Sequence, residues 1–222
     1  MSLRERFFSR KPPKEDAKIV KNYGWERVGY VLSQHWVMLI GLNLLYLLCC
    51  LPIITIPAAT CGMHRVILNL VRETSYEDMI PAFFREFKTN FAKRTLFGLL
   101  LLIAPFSLTY YPLLFGMEGG VTAMFVITVV LYFCITKYFY PLLVLLEVSV
   151  WQNFKNACIM AIVEWKTTLI LLSTAGIIDA LLLVMTMQTL PLYLIFLCAF
   201  NCLLGCAFVN YPFEKYFGEK DN

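Results

Sequence analysis

Polar and apolar positions along this chain do not alternate; they separate into blocks. Five apolar runs, at 36–59, 95–115, 121–146, 167–187 and 190–212, are divided by short polar connections. Each reaches the roughly 20 residues that a helix needs to cross about 30 Å of hydrocarbon. A half-buried strand would alternate every second residue, and a soluble helix would carry a polar stripe at helical spacing; the runs do neither. The pattern predicts an all-α, polytopic transmembrane helical bundle of about five spans. Composition agrees: 59% of the 222 residues are hydrophobic, 15% are charged, and the mean hydropathy is +0.69, which leaves little polar surface for water. The connections 60–94 and 147–166 are too short for a separate catalytic domain. The expected organisation is a polar lead at 1–22, one transmembrane domain at 23–217 and a tail at 218–222.

The placement of charge predicts topology. Of 19 Lys and Arg, eight precede Trp36, six lie in 60–94, two in 147–166 and two after Pro212, with Lys137 alone inside a run. The connections 116–120 and 188–190 carry none. Basic loops face the cytoplasm, so these two connections are expected outside. A single crossing by 36–59 would then separate two basic segments. A hairpin resolves the conflict: a helix descending to about Leu51, broken at Pro52 and Pro57, and returning as a half-helix through 61–71. It keeps 18 of the 19 basic residues on one side, and broken backbone at membrane depth is tolerated where protein or a cavity surrounds it. An exported N-terminus is the alternative. No cleavable leader is expected, because the first run begins after 35 residues. The eight cysteines fall mostly in runs or basic loops and none in either outward connection, so free thiols are predicted.

Two polar segments read as short helices at the membrane surface. In 78–94, Ile80, Phe83, Phe84, Phe87 and Phe91 recur at helical spacing, with Arg85, Lys88, Lys93 and Arg94 largely on other faces. Such a helix sets its rings in the acyl boundary and its cations near anionic lipid, or docks a cytoplasmic partner through Phe83, Phe84, Arg85, Phe87, Lys88, Phe91 and Arg94. The segment 150–166 resembles it, with Trp151 and Trp165 at interface depth.

Lys137 and Asp179 are the ionisable groups deepest in the runs, and a lone charge there costs several kcal/mol. Lys137 stands nine residues before Leu146 and Asp179 twelve after Thr167, depths of roughly 13 and 18 Å from the same side. A lysine stem spans that difference. An ion pair fixing helix register, a lysine snorkelling inward and a transport site all remain open. Cys198, Cys202 and Cys206 recur every four residues. Thiolates at that spacing suit Cu(I), but small residues at four-residue intervals more often permit close helix packing, and no metal or cofactor is expected. His64, beside Arg65, reads as a solvated or capping residue at the inner interface. Phosphate-binding, zinc-protease and nucleophile-elbow signatures are missing, so no catalytic residues are assigned; no nucleic-acid module is apparent.

The stretches N-L-L-Y-L-L-C-C-L-P-I-I-T-I-P-A-A-T (43–60), R-E-T-S-Y to F-F-R-E-F-K-T-N-F (72–91), F-Y-P-L-L-V-L-L-E-V-S (139–149) with K-N-A (155–157), and Y-P-F-E-K-Y (211–216) occur in that order. Together they resemble the YesL-like family of bacterial integral membrane proteins of unknown function, over about 25–217. The resemblance implies a helical bundle in the cell membrane. Genes of the family typically stand beside carbohydrate ABC importers, which implies an accessory, non-enzymatic role in sugar uptake and contact with permease subunits as well as lipid. It transfers no catalytic residues. Pro57 stands where the family often has glycine, and Glu147 where a less acidic residue is usual. The chain lacks the E-A-A…G loop by which ABC permeases engage their ATPase, so it is not expected to be the permease itself. A small solute transporter using Lys137 and Asp179 is the alternative.

Overall fold

A computed structural model describes the backbone of residues 23–73, 77–114, 118–183 and 193–217, with side chains except at 105–114, 118–126, 175–176, 178–183 and 193–194. The lead 1–22, the tail 218–222 and the connection 188–190 lie outside the described residues, as does part of 116–120.

Eight α-helices, and no strand among the described residues, make a polytopic bundle. The first, α1, runs Gly24–Cys50, beginning a dozen residues before the run predicted from hydropathy. It bends at His35 (φ −128°, ψ 21°), just past Ser33, whose hydroxyl donates to the Tyr30 carbonyl at 2.9 Å; such back-bonding loosens a helical ladder. Pro52, in extended conformation, ends α1, since it brings no N–H to continue the ladder. The Thr55 hydroxyl ties the turn by donating to the Pro52 carbonyl at 2.6 Å and to the Cys49 carbonyl. A short 3₁₀ turn, Ile53–Thr55, leads into α2, Ile56–Arg72.

The helix α2 returns antiparallel to α1. Near the turn the Tyr46 hydroxyl meets Thr60 Oγ1 at 3.5 Å. At the far end Arg27 Nη2 donates to the Leu70 carbonyl at 2.7 Å and pairs with Glu73 at 2.8 Å. Two expectations are corrected here. Pro57 breaks nothing: it is the second residue of α2, where a missing N–H costs no helical bond. The returning element is a 17-residue helix beginning at Ile56, not a half-helix over 61–71.

Beyond α2 come α3 (Met79–Lys88), α4 (Phe91–Leu114), α5 (Glu118–Leu145), α6 (Val150–Val163), α7 (Trp165–Leu183) and α8 (Cys198–Phe217). Asn90 makes the turn between α3 and α4 at φ 49°, a left-handed conformation that asparagine tolerates. Ser149 caps α6, its hydroxyl accepting from the Gln152 N–H at 3.2 Å. At Glu164 the axis turns by 93° from α6 into α7, so the two cannot both follow the membrane normal. A π-helical turn, Tyr193–Leu197, precedes α8; just after it, the Ala199 N–H donates to the buried Asn43 Oδ1 at 2.8 Å.

Four stretches of the described residues are long and apolar enough to cross a membrane: Gly24–Cys50, Ile53–Arg72, Ile127–Leu145 and Ile195–Phe217. With 24 residues, α4 also has spanning length. The centre is α2 and α8, whose buried residues run almost unbroken along both helices. Around them Leu39, Leu42, Tyr138, Phe139 and Leu142 are fully buried. The perimeter is the reverse of a soluble protein: Leu48, Leu51, Ile53, Leu96, Leu100, Ile127, Leu131, Ile162 and Leu169 are all more than half exposed. An apolar belt of this extent belongs against lipid. This is a multi-pass membrane protein.

Candidate functional site

Five ion pairs gather at one end of the bundle. They join the start of α1 to the end of α2 (Arg27–Glu73), α2 to α3 and α4 (Arg65–Glu86–Arg94), α3 to the residues before it (Arg85–Glu77), and the α6–α7 bend to the end of α8 (Lys215–Glu164). Trp25, Trp151 and Trp165 stand exposed at the same end, where indoles mark the lipid–water boundary.

The triad is the most buried of these networks. Glu86 is 3% exposed, accepts from Arg65 Nε at 2.8 Å through one oxygen and pairs with Arg94 Nη1 through the other. Arg94 Nη2 also donates to the Leu143 carbonyl at the end of α5, 3.1 Å away. Glu86 and Arg94 together thus tie four helices. This changes the expected role of 78–94. Phe83 is fully buried and packs so close to α2 that a side chain at Gly62 would meet its ring at 3.0 Å; Phe87 lies against the core. The aromatic face of α3 therefore meets protein more than lipid. Of the proposed docking set, Phe84, Arg85 and Lys88 are exposed, Phe87 and Phe91 half-buried, and Phe83 and Arg94 interior. Glu86, unassigned from the sequence, shares the face of Phe83 and Phe87; a carboxylate on an aromatic face was the available signal.

The Glu164 carboxylate, at the α6–α7 bend, accepts from Lys215 Nζ at 2.7 Å and the Tyr216 hydroxyl at 2.8 Å. The Lys215 hydrogen bond, followed by that of Tyr216, holds its pKa below the ordinary carboxylate value.

A cavity of about 270 Å³ opens between α1, α2, α4, α5 and α8. Lys137, Asn201, Thr60, Thr136, Tyr46 and His64 supply polar groups to a wall otherwise apolar. Lys137 Nζ donates to Asn201 Oδ1 on α8 at 3.0 Å, and Pro141 one turn later removes the N–H that would have bonded the Lys137 carbonyl. The expected partner, Asp179, has its side chain outside the described residues. Gly98 on α4 shapes the wall, because any Cβ there would collide with the Pro57 ring.

His64, placed by sequence at the solvated interface, is 8% exposed and stands on α2 inside the bundle, where it lines this cavity. Its Nδ1 hydrogen-bonds the Thr60 carbonyl at 2.8 Å, and its ring stacks on Tyr140 at 5.7 Å. A ligand atom of His64 and the sulfurs of buried Cys202 and Cys206 lie within 4.8 Å of one another. Cys198, the third cysteine of the stripe, is not in this group, and all eight cysteines are free thiols.

Residues 39–111, from mid-α1 through most of α4, match the family model described as Protein of unknown function, DUF624, the description under which YesL-like proteins fall. No curated protein and no solved structure matches the chain.

Proposed function

We propose that this membrane protein is a non-enzymatic accessory component of bacterial carbohydrate uptake, and that it holds a small polar solute in the cavity beside Lys137. The observation that carries the reading is the space of about 270 Å³, a largely apolar wall with a few polar groups, around the Lys137–Asn201 contact. A bundle whose only task was structural would fill such a space, since interiors pack at crystal-like density. An amine and an amide side by side offer donors and an acceptor to hydroxyl-rich or anionic solutes. The carbohydrate class comes from the resemblance to YesL-like proteins. The charged end faces the cytoplasm of the cell in this reading, as the positive-inside rule requires. There α3 presents Phe84, Arg85 and Lys88 to permease subunits.

Purification in mild detergent followed by binding of radiolabelled mono- and disaccharides tests the proposal. Saturable binding lost in Lys137→Met, together with recovery of ABC permease subunits that depends on Phe84, Arg85 and Lys88, supports it. A second reading, a self-sufficient transporter, rests on the cavity being framed by five helices. Solute flux through liposomes containing this chain alone would establish that reading in place of the first.

A further inference from the structure

We propose that His64, Cys202 and Cys206 bind one thiophilic divalent ion, Zn(II) by chemical type, with its remaining coordination position facing the cavity. The site does not depend on the solute reading above.

Three observations carry it. Cys202 and Cys206 are one turn apart on α8 and so share a face, while His64 approaches from α2; the three donor atoms already lie within 4.8 Å of one another. In a tetrahedral shell with Zn–S near 2.3 Å and Zn–N near 2.0–2.1 Å, donor atoms stand roughly 3.5–3.8 Å apart. Closing the group takes an approach of about 1 Å between donor atoms.

The imidazole is already set for the task. A carbonyl only accepts, so the 2.8 Å contact with Thr60 requires the proton on Nδ1 and leaves the Nε2 lone pair for a metal. A metal-bound histidine commonly has its other nitrogen held in this way, and the stacking on Tyr140 holds the ring plane. Tight packing of small residues on α8 accounts for two cysteines, but not for an oriented imidazole beside them.

Charge and softness select the ion. Two thiolates and a neutral imidazole cancel a divalent charge, and a neutral centre is what a low-dielectric bundle tolerates. Cu(I) would leave one negative charge uncompensated. Sulfur ligands disfavour Mg(II) and Ca(II). His64 and Cys202 line the cavity and Cys206 does not, so the uncovered side of the ion faces that space, where water or a solute oxygen completes the shell.

Co(II) added to the metal-stripped, reduced full-length protein in detergent reports directly on this site. One Co(II) per chain should bind, with sulfur-to-cobalt charge-transfer absorption and tetrahedral d–d bands that one equivalent of Zn(II) abolishes. Cys202→Ser, Cys206→Ser and His64→Gln should each weaken binding by at least about tenfold, while the double change Cys50→Ser, Cys198→Ser leaves it intact. Affinity should fall on acidification, because the thiols must release their protons. Should a single variant fail to fold, protection of Cys202 and Cys206 from maleimide by Zn(II) in the wild-type chain serves the same purpose. Absence of thiolate charge transfer, bands that persist without Cys202 and Cys206, or binding of Cu(I) but not of Co(II) and Zn(II) would each overturn the proposal.

Discussion

Glu86 shows how much a single side chain holds in this bundle. Its two oxygens take Arg65 and Arg94, and Arg94 reaches on to the Leu143 carbonyl. Removing one partner of a buried charge network strands the others and costs about 3–5 kcal/mol, whereas replacing the whole network by packed apolar groups is often neutral. Glu86→Ala should therefore sharply lower the unfolding temperature in detergent. The combination Glu86→Leu, Arg94→Met, Arg65→Met should recover most of the loss; a triple variant as unstable as Glu86→Ala would show that the network does more than satisfy its own charges. The charged residues themselves are plain in the sequence. Their partners are not, because Arg65, Glu86 and Arg94 are separated by loops whose path no local pattern specifies.

At the scale of elements, the ends and breaks carry the information. The α1–α2 turn was legible, since Pro52 lacks the N–H that a helix interior needs and the basic residues on both sides of the run ask for a return. The start of α1 was not: Trp25, Arg27 and Tyr30 precede the apolar run at 36–59, and only the fold joins Arg27 to Leu70 and Glu73. The start of α8 depends on Asn43, whose side chain accepts from the Ala199 N–H. Asn43→Leu leaves that donor buried without this acceptor, at a cost of about 1–3 kcal/mol, and should increase hydrogen exchange at the beginning of α8 relative to its end. The α6–α7 bend depends on Glu164. Lys215 and Tyr216 hold its carboxylate pKa below the ordinary 4.5, so its stabilisation is complete above that value and is lost as pH falls through the lowered one. Melting temperature should drop with acidification below about pH 4.5, and Glu164→Gln should be less stable at neutral pH and show a shallower acid dependence. An unchanged acid slope in that variant would assign the pH effect to other carboxylates.

For the molecule as a whole, the decisive feature is that the ion pairs described lie at one end and the α1–α2 turn at the other. In a cysteine-free background, Ile54→Cys and Lys88→Cys should react with an impermeant maleimide from opposite sides of the membrane. The proposed orientation has Lys88 label from the cytoplasmic side. Labelling of both from one side would dismantle the hairpin arrangement and the sidedness built on it.

Block-like hydropathy was enough to establish lipid as the solvent, helix as the secondary structure and the segregation of charge. Each of these follows from the cost of placing a residue in hydrocarbon, which is paid position by position and so is written along the chain. Pairings are of another kind. Lys137 with Asn201, His64 with Cys202 and Cys206, and Glu86 between two arginines join residues 64, about 140 and 8 to 21 positions apart. An intramembrane polar group must find some partner, but which one depends on how α2 and α8 are threaded through the middle of the bundle. That threading is set by packing of all eight helices at once, and it is why the cavity and the histidine–cysteine cluster emerge only when the helices are assembled.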